Sequence, residues 1–154
     1  MHLPVEGGRI STRLRAMALS RRIQSLRGSI PGCRSLVYAD LSARLVLCSD
    51  SDLPRPPQEA LDALCLRAVR LMTGPVAEAA RMALAADLPP GEAVVVQGGG
   101  IEVFLRAPTA SDEALCAVLD PAADPEVALA LLRGGIDAIL PGVTEHAATA
   151  DRGQ

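Results

Sequence analysis

The sequence has 154 residues, a mass of 16.0 kDa and a formal net charge of −3, which suits one domain with a full hydrophobic core. All 15 basic residues are arginine, and the absence of lysine excludes Schiff-base enzymes and Walker-type nucleotidases, since both need a lysine amine. The two histidines, His2 and His146, lie near the chain ends and leave no core imidazole as a catalytic base or metal ligand. We therefore expect no catalytic, cofactor or metal site.

The first residues lack the pattern of a signal peptide, and no apolar run is long enough to cross a bilayer. The cysteines lie in apolar segments without CxxC spacing, so we expect them to be reduced and structural. They are Cys33, Cys48, Cys65 and Cys116. These features favour a cytoplasmic location.

Positive charge is concentrated in residues 7–34, which hold seven of the 15 arginines and no acidic residue, a local charge of +7 against −10 elsewhere. A helix is predicted here, because apolar residues recur at helical spacing on one face: Leu19, Ile23, Leu26 and Ile30. A second apolar set points to the opposite side: Ile10, Leu14 and Met17. We interpret the arginines as a solvated helix face, with an arm for anionic lipid or nucleic acid as the alternative hypothesis.

A hairpin is predicted next, with strands at 36–39 and 45–48 joined by a four-residue turn. Pro31 and Gly32 end the preceding helix. Residues 49–57 are predicted to form a polar loop, in which Asp50 and Asp52 are a weak candidate for a divalent cation.

The strongest helical pattern runs over 57–73, where the core stripe comprises Leu61, Leu64, Cys65, Ala68 and Met72. Leu66, Val69 and Leu71 lie off this stripe, so the helix is apolar on more than one face. Such a helix is buried on two sides, either within one chain or by a second copy. A shorter alanine-rich helix follows over 75–86.

A second hairpin is predicted from 93–97 and 101–107, around three glycines at 98–100. These glycines join two strands and do not open a helix, so we interpret them as a tight turn that needs positive φ, not as a phosphate cradle. Alternation in 101–106 predicts one buried face, with Glu102 and Phe104 on the other. Residues 94–96 show no alternation, which predicts cover on both faces.

Residues 114–119 are apolar throughout and predict a central strand. Asp124 followed by Pro125 predicts the start of a last helix, with Asp124 as its cap and Val127 and Leu131 against the sheet. The fold class is therefore α/β: a mainly antiparallel five-stranded sheet with helices on both faces. We expect one domain over 11–141, with flexible segments at 1–10 and 142–154.

Four segments together resemble the Roadblock/dynein light-chain family, in its bacterial type that regulates small GTPases. They are IPGCRSLVYAD (30–40), LVLCS (45–49), LCAVL with DPAAD (115–124), and the closing helix. The resemblance spans about residues 19 to 140 and implies a profilin-like α/β/α sandwich.

The resemblance also implies a non-enzymatic homodimer, in which third strands pair and middle helices pack, serving as a scaffold or regulator of a small Ras-like GTPase. The residues that it places at the dimer interface are Val94, Val95, Val96, Leu66 and Val69. Arg67 and Arg70 are then expected on the exposed side of the middle helix, available to an acidic partner; a nucleic-acid partner is disfavoured.

Two other functions stay open. The first is a small-ligand sensor of PAS- or GAF-like architecture, with a pocket between sheet and helix. The second, ranked last, is an enzyme that uses Asp50, Asp52 and arginines.

Overall fold

Four helices and five strands make up the part of the chain that the structure, a computed structural model, describes: residues 6–52, 57–108 and 112–140, with side chains from residue 13. In chain order these are α1 (Glu6–Ser29), β1 (Cys33–Asp40), β2 (Leu45–Ser51), α2 (Gln58–Met72), α3 (Pro75–Ala83), β3 (Glu92–Gln97), β4 (Gly100–Arg106), β5 (Glu113–Leu119) and α4 (Pro125–Ile139). His2, His146 and the segment 142–154 lie outside the described residues.

The five strands form one sheet in the order β2-β1-β5-β4-β3, and every neighbouring pair is antiparallel. The predicted five-stranded antiparallel sheet is confirmed, and β5 is its central strand as expected. β2 continues to Ser51, so residues 49–51 belong to the sheet and the prediction of a loop there is wrong. The two edges of the sheet are β2 and β3.

Helices cover both faces of the sheet and create two apolar clusters, because successive side chains of each strand point to opposite faces. In β1, Leu36 and Tyr38 join the cluster beneath α1 and α4, whereas Val37 and Ala39 join the cluster beneath α2. The predicted α/β/α sandwich is confirmed.

The core stripe of α1 is confirmed, since Ile23 and Ile30 are buried and Leu19 and Leu26 pack against the same cluster. The helix begins at Glu6, so residues 6–10 are helical where a flexible segment was expected.

Both faces of β4 are covered, in contrast to the single buried face that its alternation predicts. Val103 is buried on the α1–α4 side, while Phe104 is fully buried and Glu102 nearly so on the α2 side. The prediction for Glu102 and Phe104 is wrong because α2 lies over the face that they share.

The turn between β3 and β4 needs glycine for a reason other than the predicted one. Neither Gly98 nor Gly99 has positive φ, so that expectation is wrong. A Cβ on Gly100 would lie 2.8 Å from the carbonyl oxygen of Leu119 on β5. Glycine is therefore required by the close approach of two backbones.

The start of α4 is confirmed, since the carboxylate of Asp124 accepts a hydrogen bond from the Glu126 N–H at 2.9 Å. Its core face agrees with the prediction at Leu131, which packs half-buried against the α1–α4 cluster, and differs at Val127, which is exposed. The residues buried against the sheet are Ala128, Leu129, Leu132, Ile136 and Ile139.

Candidate functional site

The edge strand β3 presents a free side to solvent. It pairs with β4 alone, through an unbroken register of six residue pairs. Val94 and Val96 lie opposite Val103 and Ile101, on the α1–α4 face, and Val96 is 74% exposed. Within the described part of one chain this face is open, so the cover predicted for residues 94–96 on both faces is not supplied by the chain's own described elements.

The other face of β3 lies beneath α2. Val95 pairs in register with Glu102 and packs, half-buried, against the cluster under α2. The three valines therefore have different environments: Val95 belongs to the core of its own chain, whereas Val94 and Val96 are the apolar residues that a second strand would cover.

The two sheet edges differ in how they are protected. β1 and β2 are joined through a register shift at Tyr38/Ala39, and the carboxylate of Asp50 on β2 is bound by Arg27. Bulges and charged side chains are common means of preventing an edge from pairing with another strand. The middle of β3 has neither, because its residues Val94, Val95 and Val96 are uncharged and its register is regular. β3 is therefore the edge that is open to pairing.

The core stripe of α2 is confirmed, because the five residues predicted for it are the ones that are buried. Of the off-stripe residues, Leu66 is exposed and Val69 is half-buried against the sheet. The outer surface of α2 therefore offers Leu66 as its main exposed apolar residue.

Arg67 connects α2 to the sheet. Its Nε donates a hydrogen bond to Oε2 of Glu102 at 2.8 Å, and Nε2 of Gln97 donates to Oε1 of Glu102 at 3.2 Å. The Glu102 side chain is 8% exposed and that of Arg67 is 38% exposed. Arg67 is therefore not a free cation, in contrast to the expectation, because it neutralises a buried carboxylate. Arg70 is exposed and has no ion pair with any residue that the structure describes.

Several exposed apolar residues near α3 are not found by periodicity. Val76 and Met82 lie on α3, and Leu84 and Leu88 lie in the connection to β3. The signal for them is weak: the helix buries only Ala77 among its described residues, so its apolar residues do not form a core stripe. The burial of Glu102 is a further feature that the sequence pattern did not predict.

The acidic pair Asp50 and Asp52 does not form a cation site. The Asp50 carboxylate accepts a hydrogen bond from Nε of Arg27, and this bond raises the pKa of Arg27 above its ordinary value. Over the described ranges, no group of three or more metal-ligating side chains comes together.

The four cysteines are free thiols, and burial raises the pKa of each. The effect brings the pKa of Cys33 to about 11 and is also large for Cys116 in the sheet interior. A thiolate is the nucleophilic form of cysteine, so these thiols are poorly suited to covalent chemistry.

A cavity of about 710 Å³ lies between β4, α4 and the connection from α3, with Leu88, Leu105 and Ile136 among its lining residues. Its charged groups have partners. Arg133 pairs with Glu92, while Arg106 donates to the Met72 carbonyl at 3.1 Å and to Asp112 at 2.9 Å. The charged residues are thus held by one another and by the backbone.

Among the described residues, no helix combines the length and apolar content that crossing a bilayer requires. No protein-family model matches the sequence, and no curated protein is significantly similar to it.

Solved structures do share the fold. A Roadblock/LC7 domain from Streptomyces avermitilis is 16% identical, with a TM-score of 0.66 over 81% of this chain and 97% of that one. MglB from Myxococcus xanthus is 8% identical, with a TM-score of 0.63 over 95% of each chain. An MglB solved with a tetrameric arrangement is 16% identical, with a TM-score of 0.62 over 81% of this chain and 87% of that one. At these identities the likeness establishes a Roadblock-like fold.

Proposed function

With a Roadblock-like fold as the premise, we propose that this protein is a non-enzymatic regulatory module that acts in the cytoplasm as a homodimer. The observation that carries the proposal is the unprotected β3 edge, which pairs with β4 alone among the described strands and leaves Val94 and Val96 exposed. An open edge of this kind is a template for pairing with another strand. An MglB with a tetrameric arrangement supports self-association within this fold.

The proposed dimer pairs β3 with β3 of a second copy, antiparallel about a two-fold axis perpendicular to the sheet. This operation joins two five-stranded sheets into one and keeps equivalent helices on the same face. The exposed Val94 and Val96 of both copies then cover one another on the α1–α4 face. Leu66 and Val69 of the two α2 helices meet on the opposite face, next to Val95.

The test compares Val96→Asp with Leu45→Asp by sedimentation equilibrium at micromolar concentration. Both residues are exposed apolar positions on edge strands, at 74% and 57%, so neither change removes a core contact. The parent and Leu45→Asp are expected at twice the 16.0 kDa chain mass, and Val96→Asp at one chain mass, because a carboxylate would be buried without a partner. A monomeric parent, or a Val96→Asp dimer, would contradict the proposal.

The proposed partner is a small Ras-like GTPase bound over the outer surface of α2. Arg70 supports this choice, since it is the exposed α2 arginine that is free of ion pairs within the described residues. An acidic patch on the partner is the natural complement of such a side chain.

Calorimetric titration with a Ras-like GTPase from the same genome, loaded with a GTP analogue, tests the partner. Arg70→Glu is expected to weaken binding about tenfold. Arg22→Glu changes the charge equally but lies on α1, across the sheet, and should bind like the parent. Equal affinities of the parent, Arg70→Glu and Arg22→Glu would show that Arg70 is not in the interface. If the parent does not bind, the proposal of a GTPase partner is wrong.

A small-ligand sensor is the second candidate function, and the cavity beside Leu105 and Ile136 favours it. Native mass spectrometry of the purified protein distinguishes the two functions. A small molecule that is bound to the parent and lost in Ile136→Phe would support the sensor. A mass equal to that of the polypeptide alone would favour the interaction module.

A further inference from the structure

The outer face of α1 is apolar at its centre, and within the described ranges no other element covers it. Leu14 is 61% exposed and Met17 is 55% exposed, on the side of the helix opposite the buried Ile23. Every side chain from residue 13 to residue 17 is exposed, so this half of α1 extends beyond its packing against the sheet.

Arginines surround these two apolar residues. At 100° per residue, Arg21 falls between Leu14 and Met17 around the helix axis. Arg13 lies on one flank, while Arg15 and Arg22, seven residues apart, lie together farther around the helix, near the edge of the buried stripe. We refer to these six residues, Arg13, Leu14, Arg15, Met17, Arg21 and Arg22, as the α1 outer face.

No described residue neutralises the charge on this face. Arg27 and Arg34, at the other end of the basic segment, bind Asp50 and Asp120. The four arginines of the α1 outer face form no ion pair with any described residue. Residues 7–34 contain no acid. The face is thus a strip of uncompensated positive charge with an apolar centre.

We propose that the α1 outer face docks on an anionic lipid surface, with Leu14 and Met17 entering the interface and the arginines at the head groups. A helix with an apolar centre and basic flanks has the features of an interfacial helix. A second copy of this chain fits poorly, because the same faces would bring arginine against arginine. Nucleic acid would satisfy the arginines but would leave Leu14 and Met17 without a partner.

The lipid-binding face does not overlap the proposed partner surface. α1 and α4 cover one face of the sheet and α2 covers the other. Lipid docking does not require the dimer. If β3 pairs as proposed above, the two α1 helices lie on the same face, and two contacts per particle raise the apparent affinity.

The experiment measures sedimentation of the full chain with phosphatidylcholine vesicles, with and without phosphatidylserine. We expect binding only to the anionic vesicles, with a partition coefficient that falls as salt is added. Arg21→Glu should lower it by about tenfold or more, since the reversal removes one charge that the anionic surface attracts and adds one that it repels. Arg70→Glu, the matched control on α2, should bind as the parent does.

An apolar variant separates lipid docking from simple charge attraction. Leu14→Ser/Met17→Ser keeps every charge, so reduced binding to anionic vesicles supports insertion, and unchanged binding overturns it. The proposal is also overturned if the parent does not bind, if Arg70→Glu and Arg21→Glu lose binding equally, or if duplex nucleic acid displaces the vesicles. Monomeric Val96→Asp should still bind, more weakly, so failure of the dimer and failure of lipid docking are distinguishable.

Discussion

Arg67 on α2 and Glu102 on β4, 35 residues apart in sequence, are joined by a hydrogen bond of 2.8 Å from Nε to Oε2. Gln97, the last residue of β3, donates to the other carboxylate oxygen. One buried carboxylate thereby holds together a helix, an inner strand and the free edge strand. The contact fixes α2 over the part of the sheet where we propose that the second copy binds.

Replacing Arg67 alone should lower the free energy of unfolding more than replacing Arg67 and Glu102 together. Arg67→Leu leaves the carboxylate of Glu102 buried and deprived of its charged partner, so we expect the free energy of unfolding to fall by about 1–3 kcal/mol. Arg67→Leu/Glu102→Leu should recover part of this loss. Urea denaturation at one fixed protein concentration measures both, and a double variant less stable than the single one would refute the explanation.

Gly100→Ala should be markedly more destabilising than Gly99→Ala. The new Cβ at residue 100 would lie 2.8 Å from the Leu119 carbonyl oxygen, whereas nothing lies within 4 Å at residue 99. The forced shift of two central strands should cost about 1–3 kcal/mol. Gly99→Ala should fall within about 0.5 kcal/mol of the parent. The midpoints of thermal unfolding compare the two, and equal midpoints would show that β4 and β5 separate at no cost.

Asp40 should stabilise the β1–β2 turn in a pH-dependent way. Its carboxylate accepts hydrogen bonds from the N–H groups of Ala43 and Ser42, at 3.0 and 2.9 Å, and from the Ser42 hydroxyl. These bonds, that of the Ala43 N–H first, hold the pKa of Asp40 below its ordinary value. A lowered pKa in the folded state means that the stabilisation is complete above the unfolded-state pKa and disappears as the pH falls through the folded-state value.

Asp40→Ala should therefore lower the free energy of unfolding by about 1 kcal/mol at about pH 7 and by much less at about pH 2. Urea unfolding of the parent and the variant at both pH values measures the difference. Asp87→Ala, at an exposed position after α3, is the control for the loss of a carboxylate outside the turn. A cost for Asp40→Ala that does not change with pH would show that the ionised carboxylate is not what stabilises the turn.

The thiols should react mainly after unfolding. Burial raises the pKa of Cys33 to about 11 and raises that of Cys116 still further. At about pH 8, we expect Ellman's reagent to label the thiols of the native protein slowly and to label all four thiols rapidly when the protein is unfolded in urea. Cys48 is only half-buried and should react first, so Cys48→Ser should remove the earliest phase. Immediate labelling of Cys116 in the native state would contradict this expectation.

Local patterns determined most of the architecture. The five-residue stripe of α2 and the cap at Asp124 depend on neighbours within a few residues, and both are confirmed. The apolar run of 114–119 predicted the central position of β5, because a strand covered on both faces needs no polar side. Composition likewise excluded lysine chemistry before any fold was considered.

Contacts between distant segments decided the rest. Whether Glu102 and Phe104 face solvent depends on where α2 lies, and whether Val96 is covered depends on the strand order. The alternation of residues along one strand predicts neither the position of α2 nor the strand order. The partner of Arg67 and the close approach of Gly100 to Leu119 arise only when β4 has neighbours. The sequence alone therefore determined which surfaces are apolar or charged, and the tertiary structure decided which of them remain open, because burial is a property of the neighbours that the fold supplies.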